Sequence, residues 1–70
     1  MDRKTARLIA IGDILEDKRT LKKFKVSRIS YVEPHNMKHT TIQFHDKDGS
    51  IYVHQKVNVI KSVNLQEETH

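Results

Sequence analysis

This sequence predicts a mostly-β fold in one small domain. The expected form is a small barrel or a strongly bent five-stranded antiparallel sheet, with a short N-terminal helix as the one helical option. Three observations predict it. Val and Ile supply 13 of the 25 apolar residues, and β-branched side chains suit a pleated surface better than a helix. Apolar and polar residues alternate over 40–54 around an Asp-Gly turn. Short apolar runs recur along the chain, separated by stretches short enough for direct antiparallel connections.

Residues 8–15 carry two patterns. Leu8, Ile11, Ile14, Leu15, Lys18 and Leu21 fit a helical stripe, and Asp13 with Glu16 resembles a capping box opening a helix at Ile14. Against the helix, Ile9 and Ile11 alternate, and Gly12 would weaken a helix interior by about 1 kcal/mol. A strand over 8–15, bent at Gly12, is the preferred reading, and the helix stays open. Residues 22–32 read as the next strand. Phe24 and Val26 share one face, whereas Ile29 and Tyr31 fall in the opposite phase, so a bulge or bend is expected near Ser27-Arg28. Pro34 then ends the strand in a loop over 33–38, because proline disfavours helix before it and cannot donate to a ladder.

The clearest element is the hairpin over 40–54. Ile42 and Phe44 alternate with Thr41, Gln43 and His45, and Ile51 and Val53 alternate with Tyr52 and His54. Between them, Gly49 supplies the positive φ that a hairpin turn requires. The alternation places Ile51 and Val53 inside and the Tyr52 ring outside. Val57 and Val59 continue it, a bend is expected near Asn58, and a final strand follows over 59–65. The domain thus spans 1–65, and the polar residues 66–70 form a tail expected to fray.

Size and charge exclude several classes of function. Seventy residues leave no room for a second domain or a dinucleotide-binding unit. No apolar run approaches the roughly 18 residues that span a bilayer, and Met1-Asp2-Arg3-Lys4 leads into only four apolar residues, Leu8 to Ile11, too few for a secretory signal. With no cysteine there is neither a disulfide framework nor a thiolate metal site, so a cytoplasmic location is expected. Catalysis has no support: no nucleophile has a base beside it in a recognisable motif, and two glycines cannot build a phosphate-cradling loop.

His35 and His39 lie four apart, and His45 and His54 are candidates for cross-strand neighbours, but three or four convergent ligands are not in prospect, so no metal or other cofactor is expected and the histidines are read as exposed. Asp46-Lys47-Asp48-Gly49 starts like a calcium loop but lacks the closing acidic residue, and reads as a turn.

A resemblance adds to this reading. Gly12-Asp13, the basic strand Phe24-Lys25-Val26, then Ile42-Gln43-Phe44-His45-Asp46-Lys47-Asp48-Gly49 and Val57 to Val63 follow the order found in Tudor-type SH3-like barrels, over roughly residues 11–63. The resemblance implies an SH3-like barrel. Members that read methylated lysine or arginine hold the cation in an aromatic cage. This chain has only Phe24, Tyr31, Phe44 and Tyr52, and carries Lys47 where the family often places tyrosine, so such a cage is not expected. Tyr52-Val53-His54 before an apolar strand is more distantly similar to Sm-like proteins, which place a histidine near RNA in an oligomeric ring; the glycines of their second strand are missing here.

The most informative feature is the basic segment. Lys18, Arg19, Lys22, Lys23, Lys25 and Arg28 fall within eleven residues that contain no acid, in a chain of net charge +4. On a strand, Lys23 and Lys25 share the face opposite Phe24. Clustered cations neutralise phosphates and release counterions, so the segment predicts a non-catalytic nucleic-acid-binding face. Tyr52, His54 and Lys56 are expected to add to it, and Arg3, Lys4 and Arg7 to form a flexible basic arm. The alternative is a small protein–protein adaptor or inhibitor, of the kind that phages and mobile elements encode, docking on an acidic partner surface. A homo-oligomer built through strand edges is compatible with both.

Overall fold

The computed structural model describes residues 1–33 and 40–65, and six strands account for most of their regular structure. The chain opens with a short helix, α1 (Arg3–Ala6), because the Asp2 carboxylate accepts the Thr5 amide at 2.8 Å and caps the first turn. Ala6 is fully buried, so α1 is anchored to the core and the expected flexible arm is replaced by a docked helical turn. The strands are β1 (Ile14–Asp17), β2 (Lys23–Lys25), β3 (Arg28–Val32), β4 (Thr41–His45), β5 (Ile51–Val53) and β6 (Val57–Lys61), with a three-residue 3-10 helix, His54–Lys56, joining the last two.

The fold is mostly β and antiparallel, as expected, but it forms two sheets of three strands instead of one of five. Their orders are β2-β1-β6 and β3-β4-β5. Among the described residues these ladders do not join into a closed barrel. The switch falls next to the bend anticipated at Ser27-Arg28. The Val26 amide donates to the Asp13 carbonyl at 2.9 Å, on the β1 side, and the next amide, Ser27, donates to the His45 carbonyl at 2.7 Å, on the β4 side. Adjacent residues thus bond to different sheets, which is why Phe24 and Val26 share a phase that Ile29 and Tyr31 do not. The 3-10 helix makes the return crossing, and β6 begins two residues earlier than the 59–65 reading because the Lys18 amide donates to the Lys56 carbonyl at 2.9 Å and starts the β1–β6 ladder there.

The strand expected over 8–15 is confined to its end. Gly12, at φ +100°, donates to the Val26 carbonyl at 2.8 Å, and only from Ile14 is the chain a strand. The helix alternative starting at Ile14 is also not formed. Asp13 caps no helix there: it is buried, and its carboxylate accepts from the Ala10 amide, the Ser62 hydroxyl and the Val63 amide, tying the N-terminal turn to the chain leaving β6. Most of the loop expected over 33–38, with His35, and also His39 and the tail 66–70 lie outside the described residues.

The hairpin forms, but with the opposite face assignment on its second strand. Phe44 pairs with Tyr52, and His45 with Ile51. Directly paired residues share a face, and the parity of the loop length sets which pairs they are. The intervening loop, 46–50, has an odd number of residues, so Tyr52 follows the buried Phe44 inwards and Ile51 turns out, 55% exposed. The core comprises Ala6, Ile9, Leu15, Phe24, Val26, Ile42, Phe44 and Val57, drawn from both sheets and α1.

Two backbone positions test this description. Gly49 has φ +87° with open space around it, so Gly49→Ala should destabilise by about 1 kcal/mol through backbone strain alone. Leu21 occupies the left-handed region at φ 62° with its side chain 64% exposed. Leu21→Gly should therefore stabilise by up to about 1 kcal/mol, the relieved strain exceeding the added chain entropy. Urea denaturation of the two variants checks both signs.

Candidate nucleic-acid interface

The basic segment folds into the β1–β2 turn, the β2 strand and the crossover to β3. Asp17 builds the turn: its carboxylate accepts the Arg19 amide at 2.9 Å and the Thr20 hydroxyl at 3.2 Å, while its own amide donates to the Lys22 carbonyl. The Arg19 amide bond, helped by the Thr20 hydroxyl and the Arg19 charge, holds this carboxyl below the usual aspartate range against the opposing effect of burial. Lys18 and Arg19 are left on the outside of the turn. The Lys18 ammonium also reaches the Gln55 carbonyl at 3.3 Å, which brings it beside Lys56 on the 3-10 helix.

Two grooves result. One, of about 510 Å³, is lined by Asp17, Lys18, Arg19, Ile51, Tyr52, Val53 and Lys56. The other, of about 360 Å³, is lined by Lys22, Lys23, Phe24, Lys25, Ser27 and the turn Asp46–Asp48. Between them stand the rings of Phe24 and Tyr52, stacked with centroids 3.9 Å apart and planes 12° apart. Lys23 and Lys25 are exposed on either side of the buried Phe24, on the face the alternation predicts. Arg28 is exposed at the start of β3, opposite His45, outside both groove linings. Lys47 lines the second groove although the sequence marked it only as a turn residue; the register that folds the hairpin loop towards β2 is a tertiary fact that no local pattern carries.

Two of the expected contact residues are placed otherwise. Tyr52 does not project outwards. Phe24 covers one ring face, and its hydroxyl donates to Asp46 at 3.2 Å; burial, then this bond, raises its pKa. His54 is buried, and its Nδ1 accepts the Ile42 amide at 3.1 Å, so it offers nothing to a ligand. His45 is likewise partly buried and shares a 2.9 Å hydrogen bond with the Ser30 hydroxyl. Among the described residues no three side chains converge as metal ligands.

The carboxylates are used differently from the cations. Asp2 and Asp46 accept from backbone amides, Asp46 taking those of Asp48 and Ser50 as well as the Tyr52 hydroxyl. Burial pushes the Asp46 carboxyl up, but these bonds and the nearby Lys22 charge outweigh it and hold it below the ordinary range. Asp13 and Asp17 are engaged in the same way. Among the described residues one ion pair forms, Lys23 to Glu16 at 3.7 Å. The acids shape the turns, and most of the lysines and arginines stay in solvent.

Comparison of the chain with known protein families, with curated proteins and with solved structures finds no match. Among the described residues no helix is long and apolar enough to cross a membrane.

His54 gives this region a pH dependence. Burial lowers its pKa from an ordinary value of 6.5, and the ammonium of Met1 and the guanidinium of Arg3 act in the same direction. The unfolded chain therefore takes up the proton first, and stability falls as pH drops below about 6.5 towards the lower folded value. The melting temperature should decline between about pH 7 and pH 5, and His54→Gln should flatten that decline whatever its effect on stability at neutral pH. Circular dichroism melts across the range measure both slopes.

Proposed function

We propose that this protein is a non-catalytic module that binds nucleic acid through its phosphate backbone. Lys18, Arg19 and Lys56 act on one side of the Phe24–Tyr52 stack, and Lys22, Lys23, Lys25 and Lys47 on the other. The observation that carries the reading is the division of labour between charges. Asp17 and Asp46 accept amides and hydroxyls instead of pairing with the cations, and one ion pair forms among the described residues. Each groove keeps a surplus of positive charge: Lys18, Arg19 and Lys56 against Asp17, and Lys22, Lys23, Lys25 and Lys47 against Asp46 and Asp48. Such a surface attracts a polyanion along its length, and counterion release supplies the affinity.

Base stacking has a small part in this mechanism. Phe24 occupies one face of the Tyr52 ring, and Tyr31, at 53% exposure, lies on β3, outside both grooves. Binding by charge alone is tolerant of sequence and sensitive to salt. A cytoplasmic setting accords with both.

Fluorescence anisotropy with a mixed-sequence oligonucleotide tests the proposal. If about four phosphates of a single strand are neutralised, affinity should fall between ten- and a hundredfold, roughly, from about 50 to about 200 mM salt. Arg19→Glu with Lys56→Glu should weaken binding about tenfold or more at the lower salt, while Arg28→Glu should do less. No binding at low salt, or full affinity in the Arg19/Lys56 variant, overturns the reading.

A further inference from the structure

Among the described residues β2 is the outer strand of its sheet, paired with β1 on one side only. Backbone groups alternate in direction along a strand. The Lys22 carbonyl receives the Asp17 amide, and the Val26 amide donates to the Asp13 carbonyl, so the even-numbered residues of this stretch address β1. The amides and carbonyls of Lys23 and Lys25 therefore face away from the sheet, along the rim of the 360 Å³ groove that the Asp46–Asp48 turn closes on its far side. Lys22, Lys23, Lys25 and Lys47 outnumber Asp46 and Asp48 in its lining, so the groove as a whole is positive. This edge presents two donors and two acceptors to an incoming extended chain.

The side chains specify what that chain carries. Lys23 and Lys25 stand on one face, with Phe24 between them on the other. In an antiparallel pair, directly opposed residues share a face. A partner residue opposite Lys23 and another opposite Lys25 lie two apart and meet ammonium groups. The residue between them lies opposite Phe24 and points into the groove. A second copy of β2 is a poor occupant: pairing about Phe24 would set Lys23 of each copy against Lys25 of the other, and like charges directly opposed are destabilising.

We propose that the outer edge of β2 receives an extended acidic peptide by antiparallel strand addition, reading the pattern acid–apolar–acid. The two acids pair with Lys23 and Lys25, the first competing with Glu16, which holds Lys23 at 3.7 Å. The central apolar side chain rests over Phe24. Main-chain bonds hold the peptide and the alternate lysines select it. This site lies apart from the Lys18–Arg19–Lys56 groove but shares Lys23 and Lys25 with the second groove assigned to nucleic acid, so the two ligands compete there.

The test uses the full chain and a blocked peptide carrying Glu-Val-Glu between glycines, followed by calorimetry and by amide shifts at Lys23, Phe24 and Lys25. N-methylation of both glutamates removes the two amides that face β2 and keeps the charge, so affinity should fall about tenfold or more. N-methylation of the valine, whose amide points away, should leave it within about threefold. Lys23→Gln with Lys25→Gln should abolish binding in a protein whose circular dichroism is unchanged. Equal affinity for the two N-methylated peptides, or shifts confined to Lys18, Arg19 and Lys56, overturns strand addition, and so does the absence of any peptide binding. No oligonucleotide takes part, so failure here leaves the nucleic-acid reading standing, and failure there leaves this one.

Discussion

The stack of Phe24 on Tyr52 is the contact on which this fold turns. Phe24 belongs to β2 and Tyr52 to β5, so one ring comes from each sheet. A chain of this size has little apolar area to bury. Among the described residues eight make up the buried apolar core, and two of those, Phe24 and Phe44, are aromatic. Rings are the largest contributors such a core can use. Placing one Tyr edge in solvent and its hydroxyl on Asp46 lets the same residue close the hydrophobic layer and fix the β4–β5 turn.

That turn and the β1–β2 turn are built alike. In each, an aspartate at the end of a strand accepts amides from residues two or more positions on, Asp17 from Arg19 and Asp46 from Asp48 and Ser50. Aspartate favours such local bonds because its short carboxylate reaches its own turn. The consequence for function is electrostatic. Asp17 and Asp46 keep their charge in the groove walls, yet cations outnumber acids in both grooves, in a chain of net charge +4.

Buried polar groups perform the remaining joins. Asp13 collects the Ala10 amide, the Ser62 hydroxyl and the Val63 amide, and His54 accepts the Ile42 amide while α1 lies against the 3-10 helix. Each connects segments far apart in sequence. A buried acceptor that loses its donor is costly, so these two residues specify how the chain ends meet the sheets as well as adding stability. They also explain why the histidine nearest the basic surface is unavailable to a ligand.

The β class, the hairpin at Gly49, the break in phase near Ser27 and the lysine face of β2 were legible in the sequence, because each follows from side-chain alternation or a single backbone preference. The basic segment was equally visible, since charge needs no fold to be counted. What local pattern does not carry is pairing parity and distance. The loop over 46–50 turned Tyr52 inwards and Ile51 outwards, although both strands alternate cleanly. Lys56 was expected at the basic face, but Lys47 met the basic segment only through contacts across the fold, and Asp13 and Tyr52 took partners that only the assembled sheets could bring. Residue order alone specifies a small basic β domain with Lys23 and Lys25 on one face. Tertiary structure alone decided that the fold is two sheets joined by a ring stack, with cations on both sides, because register and long-range hydrogen bonds exist only once the strands have met.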